Sequence, residues 1–230
     1  MLKFLAIIGC LLIGNTFAAT AQMPLVQGKP LVEGKDYTIL TVAVQKTPEP
    51  KGKVNVKEFF SYACIHCKEA ESAIEKSIVP NKSIDLNKIQ VVWGDQAEIN
   101  GFAKLNATIQ ALGLQRLNAP AFNAIFSNQN LNDPEKLKTF LGQNRLKPAD
   151  VDNFMATYNS FAIAGKVGEY KNLTKAYNIN GTPTFIIADK YIVSPALPER
   201  LVLVVQALVN KAKQEVGSNN SINSGKPQKS

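Results

Sequence analysis

Cysteine and histidine are scarce in this chain of 230 residues: cysteine occurs three times and histidine once. A single imidazole, His66, excludes zinc sites built on two or three histidines. It also excludes any Ser–His or Cys–His couple that does not use it. Cys10, Cys64 and Cys67 are too few for the multi-bridge framework of a small secreted scaffold or for a four-cysteine iron–sulfur cluster. Long apolar runs are missing as well. A membrane-spanning helix needs about 20 apolar residues, and Phe4 to Ile13 falls well short of that. The 26 Lys and Arg exceed the 18 Asp and Glu. The lysines are scattered, however, and no basic–aromatic motif appears, so no nucleic-acid partner is expected. What is present is ordinary: 45% hydrophobic and 19% charged residues describe a globular chain long enough for one or two packed domains.

Residues 1–21 read as a signal peptide removed before folding. Lys3 gives the positive start, Phe4 to Ile13 the apolar region, and Ala19-Thr20-Ala21 a small-residue cleavage site, so the mature chain is expected to begin at Gln22. Ile7-Ile8-Gly9-Cys10 also resembles a lipoprotein cleavage box, which makes lipidation at Cys10 the alternative. Cleavage leaves two cysteines and one histidine in a compartment where disulfides persist. A soluble protein of the periplasm is expected.

Strand composition marks Tyr37 to Val44, Val54 to Phe60 and Ile89 to Trp93. Between the last two, a helix is predicted from the cysteine pair to about Ser77, with Ala70, Ala73, Ile74 and Ile78 at helical spacing and Pro80 closing it. This is a strand–helix–strand unit with the cysteines at the first turn. From Ala97 to Lys175 the pattern is helical: Phe102 to Leu114, Asp133-Pro134 to Leu141, Lys147-Pro148 to Tyr158, and Ser160 to Tyr177. Strands return at Thr184 to Ile187 and Tyr191 to Val193, a hairpin about Asp189-Lys190. A helix with an apolar stripe of Leu201, Val204, Val205 and Leu208 follows Pro198. The expected organisation is therefore an α/β domain in two parts, 22–95 and 171–216, around an all-helical insertion, 96–170. Residues 217–230 are expected to form a disordered tail.

Cys64-Ile65-His66-Cys67 is a C-x-x-C motif after a strand and at a helix start. A zinc ribbon needs a second ligand pair, which is missing, and a c-type haem needs histidine where Lys68 stands. Neither a metal nor a bound cofactor is expected. Redox chemistry of the dithiol remains. Free N–H groups and the dipole at a helix N-terminus favour a Cys64 thiolate, and His66 is in place to donate to it or to carry positive charge beside it. A stabilised thiolate stabilises the reduced form and makes the disulfide an oxidant. The competing reading, a structural staple, has little to recommend it, because so small a ring contributes little loop-closure entropy. Gly181-Thr182-Pro183-Thr184 opens a strand, with Pro183 unable to donate a ladder bond; from the residues alone its peptide bond is expected trans. Glu58, six residues before Cys64 in an apolar strand, is either a buried carboxyl of raised pKa that takes a proton from Cys67 or a strand-end partner of Lys57.

Taken together, these stretches resemble the DsbA family of thioredoxin-fold thiol–disulfide oxidoreductases. The resemblance runs through 32–37, Lys57 to Cys67, Tyr158-Asn159-Ser160-Phe161 and Ile179 to Phe185, and includes the helical insertion. It implies a thioredoxin-like fold with an inserted helical domain. It implies Cys64 as nucleophile, Cys67 as resolving thiol, Thr182 and a cis-Pro183 facing the disulfide with the Thr182 backbone pairing with substrate, and Glu58 as the buried acid. The implied activity is donation of the Cys64–Cys67 disulfide to exported cysteine-containing proteins through a mixed disulfide, with reoxidation by a DsbB-type membrane quinone reductase. A monomer is expected. Ile65 stands where the family commonly has proline and Thr182 where it often has valine, both positions that tune redox properties. Isomerase or reductase action on the same fold, or a peptide-binding module without turnover, are the rival functions.

Overall fold

A computed structural model describes residues 25–26, 28–48, 50–194 and 196–223. The expected signal peptide with Cys10, and residues 224–230 of the expected tail, lie outside the described residues. Leu25–Val26 (β1) and Lys29–Pro30 (β2) pair as a small antiparallel ribbon. Thr38–Ile39 (β3), Val54–Phe60 (β4), the helix Ile65–Ser77 (α1) and Ile84–Gln90 (β5) follow. The helices Ala97–Ala111 (α2), Asn118–Phe126 (α3), Pro134–Gln143 (α4), Pro148–Tyr158 (α5) and Phe161–Ala176 (α6) come next. Thr184–Ile187 (β6), Tyr191–Val193 (β7) and Pro198–Asn223 (α7) are the last of the described elements.

The main sheet has the order β3-β7-β6-β4-β5. β4 and β5 are parallel and joined through α1; the other pairs are antiparallel. Every residue of β4 is buried, so alternation along it assigns faces rather than inside and outside. Val54 and Val56 pack with Ala70 and Ile74 of α1 and Leu201 and Leu208 of α7. Phe59 faces the other way, towards Ala103 and Ala107 of α2 and Ile163 and Tyr170 of α6. A third core is almost wholly helical, with Phe102, Phe122, Phe140 and Phe154, and takes Phe60, Tyr62 and Cys67 from the sheet side.

Several boundaries differ from those expected. β3 stops at Ile39 because Ile39 pairs with Tyr191, the first residue of its three-residue partner β7. The second central strand is Ile84–Gln90, not Ile89 to Trp93. It pairs residue for residue with all of β4, from Val54↔Ile84 to Phe60↔Gln90. Pairing length won over the more apolar stretch that follows it. α3 was not anticipated; its Pro120 sits in the first turn, where the missing N–H is harmless. α6 runs through position 170, so the expected edge of the insertion falls inside a continuous helix. α7 continues to Asn223, into the segment expected to be disordered. Once a packed stripe has nucleated a helix, each further residue adds a bond at little cost.

Elsewhere the local chemistry is as the sequence suggests. Asp133 caps α4 by accepting from Glu135 N and Lys136 N, with proline at the first helical position. Ser160 caps α6 by accepting from Ile163 N. The β6–β7 hairpin turns at Ala188 and Asp189, both at positive φ. Among the described residues no helix is long and apolar enough to cross a membrane.

Candidate active site

β4 ends at Phe60, and the chain turns through Ser61 to Cys64, the N-cap of α1. Its backbone is extended (φ −96°, ψ 118°), and its sulfur occupies the place of a capping oxygen, accepting from Cys67 N at 3.3 Å. The Cys64 thiol also reaches the Thr182 carbonyl at 3.4 Å. The Cys67 thiol beside it does most to lower the Cys64 pKa, and the Thr182 side chain and the Cys67 and His66 backbone N–H groups add to this. Together they outweigh partial burial and bring it to about 5. Cys67 is opposite in character: fully buried, it has a thiol pushed far above its ordinary value by burial, the Cys64 sulfur and the charge of Glu58.

The other motif residues are placed as follows. Ile65 is the first residue of α1 and is 45% exposed. The His66 ring lies on the outer surface, 3.3 Å from Glu69 Oε2, with both side chains more than half exposed. What His66 supplies to the Cys64 sulfur is its backbone N–H. The Thr182–Pro183 bond is cis, not the trans form expected from the residues alone. The loop is braced by Thr184 Oγ1, which donates to the Gly181 carbonyl at 2.9 Å.

Glu58 lies on the α1 side of β4 and is completely buried. Its partner is Lys88 of β5, with Nζ at 3.0 Å, rather than Lys57. Lys57 points to the other face and pairs with Asp189. Lys88 in turn lies 2.6 Å from Glu71 of α1. Its ammonium is aimed at Glu71, so neither Glu58 oxygen receives a well-formed hydrogen bond, and Glu71 Oε1 has none either. Burial raises the Glu58 carboxyl to about 7, with Lys88 pulling down and Glu71 pushing up. Burial alone would lower Lys88, but the two carboxylates hold it protonated. Two carboxylates sharing one ammonium in a buried site is an arrangement that can store and release a proton near neutral pH.

A thioredoxin family model matches residues 48–207 of the chain. The thiol:disulfide interchange protein DsbA of Burkholderia cepacia is 34% identical over 195 residues, covering 83% of this chain and 89% of that protein. The chain belongs to the DsbA family. DsbA of Pseudomonas syringae pv. tomato is 30% identical over 216 residues, 91% of this chain and 96% of that one. Among solved structures, reduced DsbA1 of Neisseria meningitidis superposes with a TM-score of 0.69 at 32% identity, covering 82% of this chain and 98% of that chain. Pseudomonas aeruginosa DsbA gives 0.67 at 27% identity, covering 81% and 97%.

The chain is thus a DsbA-type thiol–disulfide oxidoreductase with a thioredoxin-like fold and a helical insertion. Both curated relatives are named as thiol:disulfide interchange proteins. Two site residues escaped the sequence reading: Glu71 and Lys88. Glu71 carries a signal in retrospect, since it shares the buried face of α1 with Cys67, Ala70 and Ile74. A charge at an apolar helical phase is the sign of a buried ion. Lys88 was hidden by the misplaced strand.

Proposed function

We propose that this DsbA-type protein is an oxidase of the periplasm, exported by its cleaved N-terminal segment, that donates the Cys64–Cys67 disulfide to newly exported proteins. A substrate thiolate attacks the Cys64 sulfur; the new mixed disulfide forms and the Cys64–Cys67 bond breaks. Cys67 leaves and takes a proton, for which the Glu58 carboxyl is the donor. A second substrate thiolate then attacks the substrate sulfur of the mixed disulfide. Cys64 departs as a thiolate, and both electrons remain on the enzyme. Reoxidation reverses these roles, with Glu58 as carboxylate accepting the Cys67 proton and a DsbB-type membrane quinone reductase taking the electrons. The dithiol is itself the redox group, and no metal or other cofactor enters. Thr182 and Pro183 flank the sulfur on the substrate side, where the Thr182 backbone pairs with the substrate chain. Ile65 and the His66 backbone N–H adjust the Cys64 surroundings.

One observation supports the direction of transfer. The Cys64 sulfur caps α1, 3.3 Å from Cys67 N, with its pKa lowered to about 5. A thiol so stabilised as an anion favours the reduced enzyme and makes its disulfide reactive. Equilibration with glutathione tests this: the reduction potential is expected well above the roughly −270 mV of thioredoxin. A value at or below that level refutes an oxidase, and efficient refolding of scrambled substrate without added oxidant identifies an isomerase. Cys64→Ala is expected to abolish disulfide transfer and with it the protein's function in cells; a variant that still functions fully there would leave only a peptide-binding module.

A further inference from the structure

The chain contains two Asn-Gly pairs, Asn100-Gly101 and Asn180-Gly181. In such a pair the backbone nitrogen after the asparagine is unshielded, because glycine has no Cβ. The two pairs sit in opposite settings. Asn100 and Gly101 lie within α2, where helical bonding fixes φ and ψ. Gly101 is packed so closely that a Cβ there would come 1.9 Å from Asn132 Oδ1. Asn180 is exposed, in the irregular loop between α6 and β6. Among the described residues no hydrogen bond holds its amide or the Gly181 N–H. A Cβ at Gly181 would meet nothing within 4 Å, and its φ is not in the left-handed region. Neither packing nor backbone geometry requires a glycine there.

We propose that Asn180 is a site of spontaneous deamidation whose product weakens the adjacent redox centre. The Gly181 nitrogen attacks the Asn180 side-chain carbonyl carbon. A new C–N bond closes a succinimide ring, the bond from that carbon to Nδ2 breaks, and ammonia leaves with the proton from Gly181. Water opens the ring at either carbonyl, giving aspartate or isoaspartate. No electrons are transferred, and water is the only co-reactant. Both products add one negative charge, and isoaspartate also routes the backbone through the side chain. Two residues on stands Thr182, whose carbonyl lies 3.4 Å from the Cys64 sulfur and whose side chain favours the thiolate. A carboxylate nearby opposes a second anion, and a lengthened backbone displaces Thr182. Both effects raise the Cys64 pKa and make the disulfide a weaker oxidant. This consequence rests on the oxidase reading; the site of modification does not.

The test is to age the purified protein at mildly alkaline pH, map deamidation by peptide mass, and isolate the acidic species by ion exchange. Asn180 is expected to convert well before Asn100. The acidic fraction is expected to show a Cys64 thiolate titration raised by roughly half a unit and slower disulfide donation. Asn180→Ser and Gly181→Ala, each compared with its own fresh sample, are expected to keep their activity on ageing. An intact Asn180, or equal conversion at Asn100, overturns the site. An acidic fraction with unchanged Cys64 titration and donation rate overturns the consequence. If the oxidase reading itself fails, fresh protein donates no disulfide, while the mass map still decides the site.

Discussion

Lys57 and Glu58 are neighbours in one strand, and each is buried in its own ion cluster on its own face of the sheet. The two clusters are built differently. Lys57 donates to Asp189, Thr47 and Asn55 at 2.5 to 2.8 Å. Asp189 also accepts from Tyr177 and from the Thr47 backbone. Burial works against the Asp189 charge, but its bonds to Lys57, Tyr177 and Thr47 keep the carboxyl below its ordinary value. Glu58, by contrast, shares one ammonium with Glu71 and has no well-formed hydrogen bond. A fully satisfied cluster holds elements in place; an under-satisfied one holds a proton loosely. The first ties the hairpin turn and the loop at Thr47 to β4. The second lies beneath the cysteine pair.

The sharpest way to break this comparison is Asp189→Ala. It strands the Lys57 ammonium in the core, and the expected loss is about 3–5 kcal/mol, read by chemical denaturation, with disulfide transfer per folded molecule unchanged. A loss below 1 kcal/mol would mean that this cluster is no more structural than the other.

Glu58→Gln should act on pH dependence instead. The Glu58 pKa is raised in the folded state to about 7 from 4.5. The native state therefore binds the extra proton between those values, and stability falls as pH rises through that window. The fall is at most roughly 3 kcal/mol and should vanish in the variant. The step that deprotonates Cys67 should slow by roughly 10²-fold, the low end for general-base groups, and lose its rise near pH 7. Unchanged pH profiles for both stability and reoxidation would remove Glu58 from the mechanism.

Thr182→Val removes one of the groups that favour the Cys64 thiolate. Its titration should move up from about 5 by roughly one unit, which ultraviolet thiolate absorbance reads directly. The smallest effect belongs to a third kind of pair, exposed on α1. Glu69→Gln breaks the His66 contact and should change stability by no more than about 0.5 kcal/mol. A larger change would show that the His66 ring does more at the site than its outward position indicates.

Local rules read from the sequence account for much of the molecule. Val54 to Phe60 and the β6–β7 hairpin were legible from composition and turn residues, and α4 and α5 from proline at the first helical position. The cysteine pair and the Thr182-Pro183 loop were legible as motifs. What depended on pairing across the fold was not. β5 took its bounds from β4, β3 took its end from β7, and the partner of Glu58 turned out to be 30 residues away at Lys88. Charges inside a helix face or strand declare burial only when the register is known, which is why Glu71 and Lys88 went unseen. α3, with its proline in the first turn, has no counterpart among the predicted helices.

Cys67 belongs to the core that also holds Phe102, Phe122, Phe140 and Phe154. The wall that keeps its thiol dry is therefore supplied largely by the helical insertion, with only Phe60 and Tyr62 added from the end of β4 and the turn after it. A C-x-x-C loop moved onto a bare sheet-and-helix scaffold would bring the capping geometry of Cys64 with it but leave Cys67 without most of its cover. The two sulfurs would then approach one another in acidity, and the chemistry would lose its polarity. The four-residue motif is not a portable part; its second half is made by residues more than thirty positions downstream.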